Sequence, residues 1–219
     1  MKTPSGIYAE YKIMPSLQLH QLRVAAVAQL ICDNFQKPVS KNDVILACLF
    51  HDMGNIIKSD LTYFPEFVEP EGLEYWEEVK EDFISRYGTN HHAANAAIAR
   101  EIGLPATSVA LIDGIGFSRL AEVVASDSYE RKIMQYADLR VGPRGVLPLG
   151  ERLAEGRERY NATRKARIYY ESDSQFDHLY RAAEELEAQI FSEANISPGD
   201  ITDAAVASTI DELRTYAIA

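Results

Sequence analysis

The sequence predicts an all-α fold, a helical bundle with a C-terminal helical extension. Three observations support this prediction: apolar residues recur at the spacing of a helix face, strand-like alternation is scarce, and Gly, Pro and cap residues divide the chain into helix-sized segments. The chain has 219 residues, of which 47% are hydrophobic and 25% charged. That composition is typical of a globular protein and excludes disorder of the whole chain. We expect one compact domain with an extension.

The first half of the chain carries four predicted helices. They cover residues 17 to about 35, 40–53, 66–82 and 90–102. Pro15 and Ser16 form a start signal before the first helix, whereas Gly54 and Gly103 are stop signals after the second and the fourth.

The third of these segments is unusually acidic. Residues 66–82 hold eight acids and one base, interleaved with apolar positions. Such a charge run is typical of a solvated helix face. A lid over an active site is the alternative interpretation, and it rests on position along the chain alone.

The second half carries five further predicted helices. They cover residues 106–114, 127–139, 151–170, 173–193 and 198–219. Asp127 and Glu130 form a possible cap pair for the second of them, which Gly142 and Pro143 end.

Basic residues concentrate in the segment 151–170. They are Arg152, Arg157, Arg159, Arg164, Lys165 and Arg167. Because glutamates alternate with them, ion pairing on the helix surface is the economical interpretation. Extension of a substrate clamp is the alternative.

The charge balance and the apolar pattern predict a cytoplasmic protein. Thirty-three acids and 22 bases give a net charge of −11, which repels phosphate backbones and anionic lipids. We therefore expect no general nucleic-acid binding and no membrane association. The sequence lacks an apolar stretch of about 20 residues and a cleavable leader. Cys32 and Cys48 lie in apolar runs, and we expect buried free thiols rather than a disulfide.

Histidines and aspartates recur at positions suited to holding a metal ion. His20 lies on the inner face of the first long predicted helix, His51 and Asp52 end the second, and Asp138 lies near the end of a later one. Imidazole and carboxylate groups suit a borderline or hard divalent ion, and two of each leave coordination positions for water and substrate. Adjacent residues project about 100° apart, so His51 and Asp52 can share an ion only beyond the helix end.

These residues, with their neighbours, resemble a known family. The stretches HQLRVAAVAQLI, ACLFHDMGN and QYADLRVGPRG are similar to the three ligand segments of the HD-domain superfamily of metal-dependent phosphohydrolases. The resemblance covers roughly residues 17–145. It implies a helical-bundle core over residues 1–145, with residues 146–219 as a helical extension that packs on the same body.

The resemblance also implies that His20, His51, Asp52 and Asp138 ligate one divalent ion. The ion would polarise a phosphoryl oxygen and activate a water molecule. The ligands do not distinguish Mn, Mg, Co, Ni, Fe or Zn, because cellular supply overrides affinity.

Some members of the superfamily hold a second metal with two more histidines. His91 resembles the first of these, and helical geometry independently turns it toward the apolar side, about 100° away from His92. The second would lie near Gly114–Gly116, where the sequence has no histidine. We therefore predict one metal with His91 close by, touching phosphate or a bound water. Whether Asp113 replaces the missing ligand stays open.

Four basic residues are candidates for contact with a phosphate. Arg23 lies one turn from His20 and is expected to orient a carboxylate ligand or meet phosphate, a surface ion pair being the alternative. Lys58 follows the signature helix, whereas Arg140 and Arg144 flank the end of the Asp138 helix as candidate substrate clamps. The candidate catalytic residues are Asp52, His91, Arg23 and Lys58.

The resulting functional prediction is a metal-dependent phosphohydrolase. Its expected partner is a small phosphorylated molecule, a nucleotide or related phosphate. A helical ligand-binding or regulatory module without turnover is the second hypothesis, and an oxygenase or lyase the third. The apolar C-terminal segment 201–218 is predicted to serve either as a homodimer surface or as a core element.

Overall fold

A computed structural model of the protein describes residues 2–162 and 173–218. These residues form eleven α-helices, and β-strands are absent from the two described ranges. The α-helices are α1 (Pro4–Glu10), α2 (Pro15–Asp33), α3 (Lys41–Phe50), α4 (Leu73–Tyr87), α5 (His91–Ile102), α6 (Ala106–Gly114), α7 (Leu120–Val124), α8 (Tyr129–Arg140), α9 (Leu149–Ala162), α10 (Asp173–Phe191) and α11 (Asp203–Leu213). Short 3-10 helices cover Asn55–Lys58, Pro65–Phe67, Phe117–Arg119 and Pro198–Asp200. The all-α prediction is confirmed.

Helix α2 lies at the centre of the bundle. It packs against α3, α8 and α11. Its buried residues include Leu22, Ile31 and every position of 24–28, so that consecutive small and branched side chains fill the space between three neighbours. This central position brings His20, near the start of α2, to the place where α3 and α8 end.

Helix α3 is shorter than the sequence predicts, since it ends at Phe50 rather than at Met53. The approach of α5 explains the early end. The Gly54 amide donates a hydrogen bond to Asn95 Oδ1 at 2.6 Å, and a Cβ on Gly54 would lie only 2.7 Å from the Cβ of Ala94. Gly54 is therefore a point of close backbone approach as well as a stop signal.

The acidic helix α4 covers Leu73–Tyr87, so it begins and ends later than the predicted range 66–82. Its buried residues Trp76, Val79 and Phe83 recur at helical spacing. This face packs against α5 and the Asn55–Lys58 turn, while the acidic residues point outward. The arrangement agrees with a solvated helix face rather than with a lid.

The later helices also differ in detail from the predicted boundaries. Ser128, rather than Asp127, caps α8, because its Oγ accepts a hydrogen bond from the Arg131 amide at 3.2 Å. The C-terminal segment is interrupted after Pro198–Asp200, and α11 begins at Asp203. Helix α11 packs on α2 within the chain, so the apolar C-terminal segment contributes to the core. The homodimer stays a prediction.

Helix α9 holds part of the predicted basic cluster. Glu155 pairs with Arg152 at 3.0 Å and with Arg159 at 3.3 Å, as expected for ion pairing on a helix surface. The remaining cluster members, which lie outside the described residues, are Arg164, Lys165 and Arg167.

Both cysteines are free thiols, as predicted. Cys48 is fully buried in α3, and burial raises the pKa of Cys32 to about 12. Across the described part of the chain, helices with the length and apolar character needed to cross a bilayer are not found.

Candidate metal centre

The four predicted ligands come together where α2, α3 and α8 meet. Oδ1 of Asp138 lies 3.2 Å from Nε2 of His20 and 3.4 Å from Nε2 of His51. Oδ2 of Asp52 lies 3.7 Å and 3.6 Å from the same two nitrogens. Two imidazoles and two carboxylates therefore face a common centre.

The backbone after α3 explains how adjacent residues share this centre. His51 and Asp52 lie in the turn that follows Phe50, beyond the last residue of the helix. The Asp52 amide donates to Oε1 of the buried Gln21 at 3.1 Å, which attaches the turn to α2 next to His20. The sequence predicted that the pair can converge only beyond the helix end, and the structure places it there.

The imidazole of His51 is oriented for metal binding. Its Nδ1–H donates to the Cys48 carbonyl at 2.8 Å, so Nε2 is the nitrogen that carries the lone pair whenever the ring is neutral. Nε2 is buried and lacks a hydrogen-bond partner among the residues that the structure describes. A buried polar atom without a partner is costly, and a cation at the centre of the cluster would satisfy it.

The separations between the ligands fit a single ion. Ligand atoms at about 2.1 Å from a metal, with angles of about 90–110° between them, lie about 3.0–3.4 Å apart. The shorter contacts, 3.2 Å for His20 and 3.4 Å for His51 to Asp138, fall in that range. The ligand atoms of His20, His51 and Asp52 lie within 4.8 Å of one another. The residues present therefore fit a divalent cation.

The electrostatics of the cluster favour a cation. Burial lowers the pKa of His51, but the negative charges of Asp52 and Asp138 outweigh burial and raise this pKa to about 9. Burial raises the pKa of Asp138, yet the neighbouring imidazoles of His20 and His51 hold that pKa well below its usual range. The Asp138 carboxylate thus stays ionised at neutral pH and attracts positive charge.

One side of the cluster is open to solvent. The His51 side chain is only 2% exposed, whereas the side chains of His20, Asp52 and Asp138 are 17%, 20% and 30% exposed. Substrate can therefore approach from the side on which Asp138 and Asp52 lie.

His92 is a further histidine near the centre, and it was not among the candidates chosen from the sequence. His91 is the more buried of the adjacent pair, as helical geometry predicts, and its ring lies 4.0 Å from that of His92. His92, however, responds to the site: burial and then the charge of Lys58 lower its pKa, while Asp52 acts in the opposite direction. Cε1 of His92 also lies 3.7 Å from the point that a Cβ would occupy on Gly116. The catalytic role of His91 stays a prediction.

His92 lies close to the position where the resemblance expects the missing histidine. Gly116 lies in the short stretch where the resemblance expects a further ligand, and the His92 ring fills the space beside it. Asp113 is exposed and its charge raises the pKa of His92, and whether it replaces the missing ligand stays open. The sequence signal that could have pointed to His92 is Gly116, because a glycine leaves room for the ring.

Arg140 does not occupy a substrate-binding position. Its side chain is 2% exposed, and its guanidinium donates to the carbonyls of Leu147, Pro198 and Ile201 and to the Tyr136 hydroxyl. The prediction that Arg140 clamps substrate is therefore corrected. The residue instead satisfies backbone carbonyls at the junction between α8 and the C-terminal segment.

The other three basic candidates lie at the periphery of the site. Arg144 is 71% exposed, pairs with Glu66 at 2.7 Å and lies 5.2 Å above the Phe64 ring. Lys58 is exposed at the end of its 3-10 turn, and its charge lowers the pKa of His92. Arg23 is 17% exposed, and its Nε lies 3.6 Å from Oδ1 of Asp203, a residue that the sequence did not single out.

Comparison with known proteins agrees with this geometry. The family model described as HD domain matches residues 18–195, which is most of the chain. Neither a curated protein nor a solved structure gives a significant match. Because the match spans the His20, His51–Asp52 and Asp138 segments that converge in the structure, the chain belongs to the HD domain family.

Proposed function

We propose that this protein is a metal-dependent phosphohydrolase that cleaves a small phosphoester, a nucleotide or related phosphate. The observation that carries the proposal is the convergence of His20, His51, Asp52 and Asp138, with the buried Nε2 of His51 facing both carboxylates and lacking a hydrogen bond within the described chain. When bound, a divalent ion supplies Lewis-acid activation of the phosphate and of the water nucleophile.

The chain's own residues supply orientation and proton transfer. Oδ2 of Asp52 faces the two imidazoles, which leaves Oδ1 to accept a proton from the attacking water. The lowered pKa of His92 keeps its imidazole neutral at pH 7, so a ring N–H can donate to a phosphate oxygen. Lys58, which lies close enough to lower that pKa, adds positive charge for the same phosphate.

A non-catalytic ligand-binding module is the second candidate function. The observation that favours it is Gly116, which supplies no side chain where the resemblance expects a second-metal histidine. In this case the centre holds a metal and a phosphorylated ligand without turnover.

Phosphate release separates these two functions. The purified protein is incubated with nucleotides and phosphomonoesters in the presence of Mn²⁺, Mg²⁺, Co²⁺ or Ni²⁺, beside Asp52→Asn. Asp211→Asn is the matched control, because Asp211 is 84% exposed on α11. We expect turnover in the wild type and in the control, and its loss in Asp52→Asn.

Two results would contradict the hydrolase proposal. If the wild type binds one equivalent of metal but releases no phosphate from any substrate, the hydrolase proposal fails and the binding module replaces it. If the protein binds none of the four ions, the metal centre itself is refuted.

A further inference from the structure

Asp203 links two elements that carry metal ligands. It is the first residue of α11 and lies beyond the matched range 18–195. We propose that Asp203 is a positioning residue of the metal centre, which holds Arg23 of α2 and the loop 142–146 after α8 in one arrangement. The inference rests on the metal centre of the proposed function and deepens it.

The contact with the loop is specific. The Val146 amide donates to both carboxylate oxygens of Asp203, each at 3.2 Å. The preceding residue, Gly145, lies so close that a Cβ there would be 2.5 Å from Oδ2 of Asp203. The carboxylate therefore fits against the loop only because residue 145 has no side chain.

The loop is joined tightly to the end of α8. The Gly142 amide donates to the Gly145 carbonyl, and the Leu147 amide donates to the Arg140 carbonyl, both at 2.8 Å. These bonds close the loop just after the helix that carries Asp138. A shift of the loop is therefore transmitted to the C-terminal turn of α8.

The contact with α2 joins a partly buried arginine to a carboxylate that is 55% exposed. Arg23 lies one turn after His20, and its Nε is buried, 3.6 Å from Oδ1 of Asp203. Within the described chain, this Nε lacks a hydrogen-bond partner, and the Asp203 carboxylate compensates the positive charge of Arg23. Removing that charge frees Arg23 to move, together with the turn of α2 that carries His20.

The segment before Asp203 is also anchored. The buried guanidinium of Arg140 donates to the Pro198 carbonyl at 3.1 Å and to the Ile201 carbonyl at 3.0 Å. Asp203 thus projects from a fixed base and connects the helix of His20 with the helix of Asp138. The separation that this connection maintains is the 3.2 Å between His20 Nε2 and Asp138 Oδ1.

Two variants test the connection by different routes. Asp203→Asn removes the charge that faces Arg23 but retains an acceptor for the Val146 amide. Gly145→Ala retains every charged group but displaces the Asp203 carboxylate sterically. Asp211→Asn on the same helix is the control, since its side chain is 84% exposed.

The readout is Mn²⁺ affinity, measured by electron paramagnetic resonance of the free ion, with circular dichroism and thermal unfolding to verify that each variant is folded. We expect each variant to bind Mn²⁺ about threefold to tenfold more weakly than the wild type, below the effect of removing a group bonded directly to a ligand. The double variant should be no weaker than the weaker single variant, because both changes break one connection. Asp211→Asn should match the wild type.

Three results would overturn the inference. Wild-type Mn²⁺ affinity in both folded variants would show that Asp203 does not position the centre. Losses that multiply in the double variant would show two separate contacts. If the wild type binds neither Mn²⁺ nor another divalent ion, both this inference and the proposed metal centre are wrong. If metal binding and turnover are the same in both variants as in the wild type, only this inference is wrong.

Discussion

Oδ1 of Asp138 lies 3.2 Å from Nε2 of His20, although the two residues belong to the second and the eighth helix of the chain. His51 reaches the same oxygen at 3.4 Å from the turn after α3. One carboxylate oxygen thus faces two imidazoles from different parts of the chain.

Replacing Asp138 by Asn should weaken metal binding without unfolding the protein. The substitution preserves the size of the side chain and removes the negative charge that faces both imidazoles. We expect Mn²⁺ affinity to fall by at least about tenfold, since even indirect partners of metal ligands have effects of this size. Titration calorimetry measures the affinity, with the exposed Asp127→Asn at the start of α8 as the control. Unchanged affinity would remove Asp138 from the ligand set.

The two adjacent histidines should differ in their effect on turnover. His92 is the histidine that responds electrostatically to Asp52 and Lys58, so His92→Gln should lower kcat/KM by about tenfold. His91→Gln tests the role predicted from the sequence and is expected to have the smaller effect. Steady-state kinetics at saturating metal concentration compares them. A larger loss in His91→Gln would reverse the assignment.

Substitution of Arg140 should affect the stability of the fold, whereas substitution of Arg144 should affect substrate binding. Arg140→Ala leaves buried carbonyls of Leu147, Pro198 and Ile201 without their donor and should lower the free energy of unfolding by about 3 kcal/mol. Arg144→Ala loses an exposed ion pair and a contact with the Phe64 ring, which should affect stability much less, and it should raise KM if Arg144 binds phosphate.

Urea denaturation and steady-state kinetics test this pair of variants. A stable Arg140→Ala protein with an increased KM would restore Arg140 as a substrate clamp. An unchanged KM in Arg144→Ala would leave that residue a surface partner of Glu66.

Asp43 should make the fold sensitive to acid. Burial raises the pKa of this carboxyl, but hydrogen bonds that include those from Ser40 and Ser108 outweigh burial and lower the pKa below 3.8. Because the pKa is lower in the folded state, the ionised carboxylate stabilises the fold above the unfolded pKa. This contribution is lost as the pH falls through the folded pKa.

Asp43→Asn should therefore destabilise the protein by about 1 kcal/mol at neutral pH. The difference from the wild type should shrink once the pH falls below 3.8. Urea denaturation across this pH range measures it, with the exposed Asp33→Asn as the control. A difference that is constant with pH would show that ionisation of Asp43 does not stabilise the fold.

Local pattern was sufficient for most of the helices and for the choice of ligand candidates, but it did not predict the short helices α1 and α7. Apolar spacing predicted α2 and α5 nearly to their observed ends, and the left-handed Gly103 matches its stop signal. His20, His51, Asp52 and Asp138 were chosen by residue type, order and resemblance. Each of these properties is local in sequence, because helical periodicity and capping depend on neighbours within one or two turns.

The direction and partners of individual side chains required the tertiary structure. Arg140 and Arg144 are equally basic and close in sequence, yet the turn that ends α8 buries Arg140 against distant carbonyls and leaves Arg144 exposed. His92 and Asp203 gain their positions from α6 and α11 packing nearby, which no local spacing records. The sequence by itself determined an all-α chain with a set of candidate metal ligands. Only the packing of α2, α3, α8 and α11 decided which charges meet, because burial and pairing depend on contacts between segments far apart in the chain.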